Sequence, residues 1–383
     1  MAGDLINGDI PDHWEFTTLG EICQRGGGNI QTGPFGSQLH ASDYVPIGVP
    51  SIMPTNIGEN RIIEDGIVRI TEADANRLGQ HRLRAGDIIY SRRGDVEKRS
   101  LIREREEGWF CGTGCLKVRL GSGVVDPLFA SLFLGHPAIR EWIVRHAVGA
   151  TMPNLNTTIM SAVPFALPPL AEQKAIAAVL GALDDKIELN RRMNATLEAM
   201  ARALFQSWFV DFDPVRAKLD PATARPALDP ATTALFPDSF QDSCLGPTPH
   251  GWKVGVLDEL TKFVIGGDWG ATQPTDDETV SCYCIRGADI PSLQSGGVGK
   301  MPTRFLKLSS IEKRQLADGD LAIEISGGSP TQCTDRPVLA SEALLQNLGQ
   351  RLVASNFCRI VKLKSPALSK FVYLWLRRLY DAG

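Results

Sequence analysis

The sequence predicts an α+β protein: two similar domains of mixed β-sheet and helices, joined by one long coiled-coil-like helix. Three observations carry that expectation. Four blocks recur in the same order in the two halves of the 383-residue chain. A Pro-free segment of about 39 residues lies between the halves, roughly 58 Å long at the helical rise of about 1.5 Å per residue. Within each half the apolar runs are short, partly alternating and β-branched, which is a strand pattern. The expected organisation is a first domain over 1–168, the helix over 169–212, a linker over 213–247 and a second domain over 248–383.

The repeat begins with Pro11-Asp12-His13-Trp14, followed by Leu19, and returns as Pro249-His250-Gly251-Trp252, followed by Leu257. A glycine-rich turn comes next in each half, Gly26–Gly28 and Gly266–Gly270. Leu83-Arg84-Ala85-Gly86-Asp87-Ile88-Ile89 then matches Leu316-Ala317-Asp318-Gly319-Asp320-Leu321-Ala322, and Gly94 and Gly327 keep the same register. Finally Cys115–Leu120 parallels Cys358–Leu363, and Pro127 and Pro366 each open an apolar, helix-like stretch. Ordered self-similarity of this kind is read before any single motif.

The central segment, from Ala171 to about Phe209, is rich in Ala, Leu, Glu, Lys and Arg, with Gly181 as its one interior weak point. Pro168 and Pro169 stand outside its amino end, and Pro214 bars its continuation. Ile176, Leu180, Leu183 and Ile187 form a stripe that Leu197, Leu204 and Trp208 continue. Asn190 and Asn194 interrupt it, as polar residues do where a seam fixes register. An ordinary core helix is the competing explanation, and the length argues against it.

These residues also carry a resemblance. Pro168-Pro169-Leu170-x-Glu172-Gln173-x-x-Ile176-Ala177, then Asp184–Asn190, then Ser207-Trp208-Phe209-Val210-Asp211-Phe212-Asp213-Pro214 resemble the central conserved region of type I restriction–modification specificity subunits. Thr32-Gly33-Pro34-Phe35-Gly36-Ser37 resembles a recurrent element of that family's target recognition domains. The resemblance implies a non-catalytic subunit that reads a split double-stranded DNA sequence, one half-site per recognition domain, with the helix setting the gap. It implies two modification (methyltransferase) subunits and a restriction (translocase–nuclease) subunit as partners. It implies no cofactor on this chain, with S-adenosylmethionine, ATP and Mg on the partner subunits. In the family a second conserved helix covers the stripe. Here the Pro-Pro-Leu-x-Glu-Gln block has no second counterpart before Gly383, so an uncovered stripe is expected, through truncation, a covering helix from another chain or self-pairing of two such helices, and with it oligomerisation or poor behaviour alone.

Residue chemistry nominates DNA contacts. Arg92 and Arg93, with Lys98 and Arg99 beyond, concentrate charge just after a strand, and an arginine fork suits guanine or phosphate. Neutralisation by Asp95, Glu97 and Glu104 is the plainer alternative. Thr32, Gly33, Phe35, Ser37 and Gln38 form a small loop suited to close approach, or a plain turn. Asn154 and Asn156 have side chains that pair with adenine edges, or that cap the turn before the helix. In the second copy Arg286, Ser326 and Gln332 are the corresponding candidates, with Trp269 either on the core or against DNA.

Composition narrows the rest. A 43% hydrophobic, 22% charged chain with net charge −4 is ordinary for a soluble protein and speaks against indiscriminate nucleic-acid binding. No basic leader precedes an apolar run, and none reaches the roughly 18 residues of a membrane span, so a cytoplasmic protein is expected. The eight cysteines lack paired Cys-x-x-Cys spacing and read as reduced thiols, with no metal site. Gly299-Lys300 fails the phosphate-loop pattern on both sides, and no nucleophile triad or paired-carboxylate spacing stands out. A freestanding DNA-binding protein without methyltransferase partners is the alternative reading.

Overall fold

The computed structural model describes residues 10–149, 151–220, 229–327 and 333–382. The chain divides into two compact units between Lys186 and Ile187.

In the first unit β1 (Glu15–Thr18) leads into α1 (Leu19–Gly26), where Thr18 and Glu21 form a reciprocal capping box that satisfies two orphan N–H groups. There follow β2 (Gly27–Thr32), β3 (Tyr44–Val45), β4 (Val49–Ile52), β5 (Val68–Ile70) and α2 (Glu72–Arg77). Next come β6 (Ile88–Ser91), β7 (Arg99–Leu101), β8 (Phe110–Cys111) and β9 (Cys115–Gly121). Three helices, α3 (Pro127–Phe133), α4 (Pro137–His146) and α5 (Thr157–Ser161), precede β10 (Pro164–Leu167), which pairs with β1. One antiparallel sheet has the order β2-β9-β6-β7; a second has the order β3-β5-β4-β8, with β4 and β8 parallel. Both faces of β6 are covered. Ile88 and Tyr90 join Leu116, Val118 and the helices, whereas Ile89 packs with Ile52, Cys111 and Cys115. That is why its sequence is an unbroken buried run, Ile88-Ile89-Tyr90-Ser91.

The long helix, α6 (Leu170–Phe209), is uninterrupted over 40 residues. Its first turn explains the Glu172-Gln173 pair. Gln173 is 1% exposed; its amide donates to the carbonyls of Val124 and Pro168, and its Oε1 accepts the Asp126 N–H at 2.8 Å. Glu172 accepts from Trp14 Nε1 at 3.1 Å and pairs with His13 at 2.9 Å, and the His13 hydrogen bond holds its carboxyl below the usual range. Gly181 is no weak point: a Cβ there would press on Leu128 of α3, so its absence lets the helix seat on the first unit. Ile176 also packs on that core. Farther along, Leu180, Leu183, Ile187, Leu197 and Leu204 are 42–56% exposed, as the unpartnered stripe predicts.

The last turns of α6 depart from that expectation. Phe205 is buried, with its ring centroid 5.3 Å from Phe371, and Trp208 lies 5.7 Å from Phe236. Trp208 therefore does not belong to an open interface. Segment 213–247 was expected as a surface linker with little core. Instead α7 (Asp213–Leu219) buries Pro214 and Val215, and α8 (Pro230–Ala234) delivers Phe236 into an aromatic cluster with Phe209 and Trp252. The sparse apolar composition hid this because a few large rings supply most of the buried area.

The second unit continues with β11 (Phe240–Gln241), β12 (Thr248–Pro249), α9 (Leu257–Leu260), β13 (Thr261–Gly266), β14 (Val280–Ile285), α10 (Ile290–Gln294), β15 (Thr303–Leu306) and α11 (Leu308–Arg314). It ends with β16 (Leu321–Glu324), β17 (Pro337–Leu339), α12 (Glu342–Leu348), β18 (Leu352–Ala354), β19 (Cys358–Leu363) and α13 (Ser369–Asp381). Its antiparallel sheet has the order β13-β19-β16-β17, and β15-β14-β18 forms the other sheet with β14 and β18 parallel. Strand for strand these two sheets repeat those of the first unit, without a partner for β3, whereas the β1–β10 pair has no described counterpart and β11 pairs locally with β12. The register agrees: Ile88 faces Val118 as Leu321 faces Val361. One expected match is displaced. The second copy's Gly267 corresponds to Gly33, not to the Gly26–Gly28 turn. Gly33 and Gly267 donate equivalently to Cys115 O and Cys358 O, and a Cβ on either would collide with the facing Gly112 or Ser355 carbonyl.

Candidate nucleic-acid interface

Three segments far apart in sequence meet in the first unit. Gly33 brings the end of β2 close to Gly112, which launches the Pro34–Gln38 turn outward. The turn closes on itself: Gln38 Oε1 accepts the Phe35 N–H at 3.1 Å, and the Gln38 N–H donates to Phe35 O at 2.8 Å. Phe35 is left 57% exposed. The Arg92 guanidinium, from the end of β6, lies 5.6 Å from the Phe35 ring centroid. Its Nε donates to Asn154 Oδ1 at 3.4 Å, and the Leu155 N–H donates to Arg92 O at 2.9 Å. The Gly94 N–H donates to Pro153 O at 3.1 Å, tying the same loop to the 151–156 segment.

An aromatic plate, a guanidinium and a carboxamide thus share one surface. Partial burial, with Arg93 next, lowers the Arg92 pKa, yet an arginine stays cationic. Such a set can stack on a base and donate to acceptor pairs in a groove. Arg93 and Ser37 are exposed beside it, and Thr32 is half-buried at the end of β2. Lys98 is exposed but paired with Asp95 at 2.6 Å, the internal neutralisation that the sequence allows.

Other candidates serve the fold. Arg99 is 9% exposed, and its Nε donates to Ser131 O at 2.6 Å, so it braces β7 against α3 and is not presented to DNA. Asn156 caps α5, its Oδ1 accepting the Ile159 N–H at 2.8 Å. In the second unit Arg286 donates to both Asp289 oxygens, at 2.8 and 3.0 Å, and to Lys300 O at 2.7 Å. Burial would raise the Asp289 carboxyl, but Arg286 and the Lys300 N–H outweigh it and hold the group ionised below the usual range. Arg286 is therefore a latch for the turn after β14, and its fork is spent. Ser326 is exposed, and Gln332 lies outside the described residues.

Trp269 is the counterpart of Phe35, two residues beyond its glycine. It packs partly on Cys282, Cys284, Leu306 and Val353, and Arg304 lies over its ring at 3.9 Å. Sequence reasoning passed over Arg304, since nothing in Thr303-Arg304-Phe305-Leu306 marks it; only the register Cys282↔Arg304 turns it toward Trp269. Among the described residues no group of three His, Cys, Asp or Glu side chains is placed to hold a metal ion, and no described helix is long and apolar enough to cross a membrane.

A family model described as the type I restriction modification DNA specificity domain matches residues 11–199. The specificity subunit of the type I restriction enzyme HindI from Haemophilus influenzae is 29% identical over 193 residues, 49% of this chain and 42% of the relative. The MjaIX specificity subunit from Methanocaldococcus jannaschii is 26% identical over 263 residues, covering 68% of this chain and 54% of the relative. The chain thus spans about half the length of these curated relatives. A crystal structure of the S subunit of a type I restriction-modification system from M. genitalium aligns over 98% of this chain and 79% of that one, at 14% identity and a TM-score of 0.47.

Proposed function

From the match of residues 11–199 to the type I restriction modification DNA specificity domain, we propose that the chain is a specificity subunit of that family and reads a bipartite double-stranded DNA target, one half in each unit. The observation that supports this most directly is the repeat. Two units of one topology keep the same sheet order and the same glycine contact, yet carry different side chains at the matched outer positions. A protein that reads two different half-sites needs one scaffold and two sets of contacts.

In this reading Arg92 and Asn154, steadied by Phe35, contact the first half-site, and Arg93 and Lys98 add phosphate contacts. Helix α6 sets the unread gap. Its exposed apolar stripe, Leu180 through Leu204, is the surface offered to two modification subunits, and a restriction subunit joins that complex. S-adenosylmethionine, ATP and Mg act on those partners, and this chain supplies the address.

Methylome sequencing of a host expressing the chain with its cognate modification subunit tests the proposal. The expected result is one bipartite methylated motif with an unspecified spacer. Methylation at a continuous motif, or no dependence on this chain, would refute it.

A further inference from the structure

In the first unit the guanidinium over the exposed aromatic comes from β6. In the second it comes from β15, and its surroundings are unusual. Arg304 stands at the register position that Ile70 occupies in the first unit, because Val49 faces Ile70 as Cys282 faces Arg304. Ile70 is fully buried in an apolar cluster. Arg304 instead lies flat on Trp269, 3.9 Å from the ring centroid, with its Nε buried and without a hydrogen-bond partner among the described residues.

A cation in place of a core isoleucine is a poor packing solution, and a buried donor without an acceptor weakens it further. Neither cost is repaid by an ion pair within the described residues, whereas Arg286 and Arg336 do have carboxylate partners. The stack does fix the plane of the guanidinium. A planar fork held rigid on an aromatic face suits the two acceptors on the edge of one guanine, and it loses little freedom on binding. Trp269 also follows Gly267 as Phe35 follows Gly33, so each unit sets an arginine against the aromatic two residues beyond the matched glycine, although the arginine comes from a different strand.

We propose that Arg304, oriented by Trp269, is the residue through which the second unit reads a guanine in its half of the target, an inference that rests on the DNA-recognition reading above. Trp269 acts as a positioning residue.

The test is methylome sequencing with the wild-type chain and with the R304K, R304M and R92A variants, each produced with the modification subunit and checked for folding by thermal unfolding. R304K and R304M should relax one G·C position in one half-site, lowering discrimination there by roughly tenfold or more, while the other half-site stays intact. R92A should relax the opposite half-site. The proposal is overturned if R304K and R304M retain the wild-type motif, or if they lower methylation equally at every position. It is also overturned if both variants unfold, because Arg304 is then a core brace. A wild-type chain that directs no bipartite methylation sinks the function reading itself, which is separable from failure at Arg304 alone.

Discussion

The two antiparallel sheets, β2-β9-β6-β7 and β13-β19-β16-β17, agree inside and differ outside. In the first, Asp87 accepts the Arg84 N–H at 2.9 Å and pairs with Arg119 at 2.6 Å. In the second, Asp320 accepts the Ala317 N–H at 2.8 Å and pairs with Lys362 at 2.9 Å. Arg119 and Lys362 each also donate to a backbone carbonyl ahead of the strand entry, Arg82 O and Gln315 O. At the outer end of the sheets the agreement stops. The Arg92 N–H donates to Gly114 O, whereas the matching Ile325 N–H donates to Phe357 O, and Ile325 and Phe357 are 43% and 54% exposed. The backbone bond is kept while arginine gives way to isoleucine on one side and glycine to phenylalanine on the other. An apolar edge suits the thymine methyl as an arginine suits guanine. The lesson is a division of labour: the carboxylate latch holds the frame, and the strand-end positions are available to vary.

The sharpest way to break that comparison is to remove the latch in each sheet. Asp87 is 3% and Arg119 22% exposed in their side chains, and Arg119 donates from two nitrogens. Asp87→Ala should therefore destabilise the first unit by about 3 kcal/mol, since it strands a partly buried cation and an N–H together. Asp320 and Lys362 are more exposed, at 12% and 25%, and share one bond, so Asp320→Ala should cost the second unit about 2 kcal/mol. Hydrogen exchange read unit by unit is the measurement. Equal, chain-wide loss of protection for both variants would show that the latches are not local.

Much of this frame was legible in the sequence. Blocks Leu83–Ile89 and Leu316–Ala322, matched in sequence, lead into strands that pair in one register with Cys115–Leu120 and Cys358–Leu363, because buried strands dictate residue type at every position. The glycine match failed because a glycine demanded by close backbone approach looks in sequence like one that makes a turn. The individual contact residues were less legible still. Which arginines face outward depends on strand register and on partners far along the chain: Arg99 turns in toward Ser131, and Arg286 turns back on Asp289. Charge density in a segment carries no sign of either.

That distinction makes a paired prediction of intermediate size. Arg92→Ala should leave folding nearly unchanged and weaken discrimination at one base pair by about 1–3 kcal/mol. Arg99→Ala should do the reverse, costing about 2 kcal/mol of stability through the Ser131 carbonyl it leaves unpaired, with the target unchanged. Denaturant titration and the methylated motif, measured on both variants, separate the two roles. A changed motif in Arg99→Ala would return that residue to the DNA surface.

The smallest effect compares the thiols. Cys244 and Cys333 are exposed; the other six are buried. Burial pushes Cys23 and Cys111 up to about 12 in the first unit, and in the second it pushes Cys284 to about 12 and Cys282 and Cys358 to about 11. Thiolate is the reactive form, so at pH 8 the two exposed thiols should alkylate promptly and the buried six only as their unit opens. The sign for stability follows from proton binding. Above about pH 8.5 the unfolded chain releases thiol protons that the folded chain keeps, so stability falls as pH rises through that range toward the folded values. Site-resolved mass spectrometry across pH 7 to 10 should show two early cysteines and, later, two groups of three, one per unit. Early labelling of Cys284 or Cys111 in the folded chain would mean that the matched sheets are less well closed than their shared latches imply.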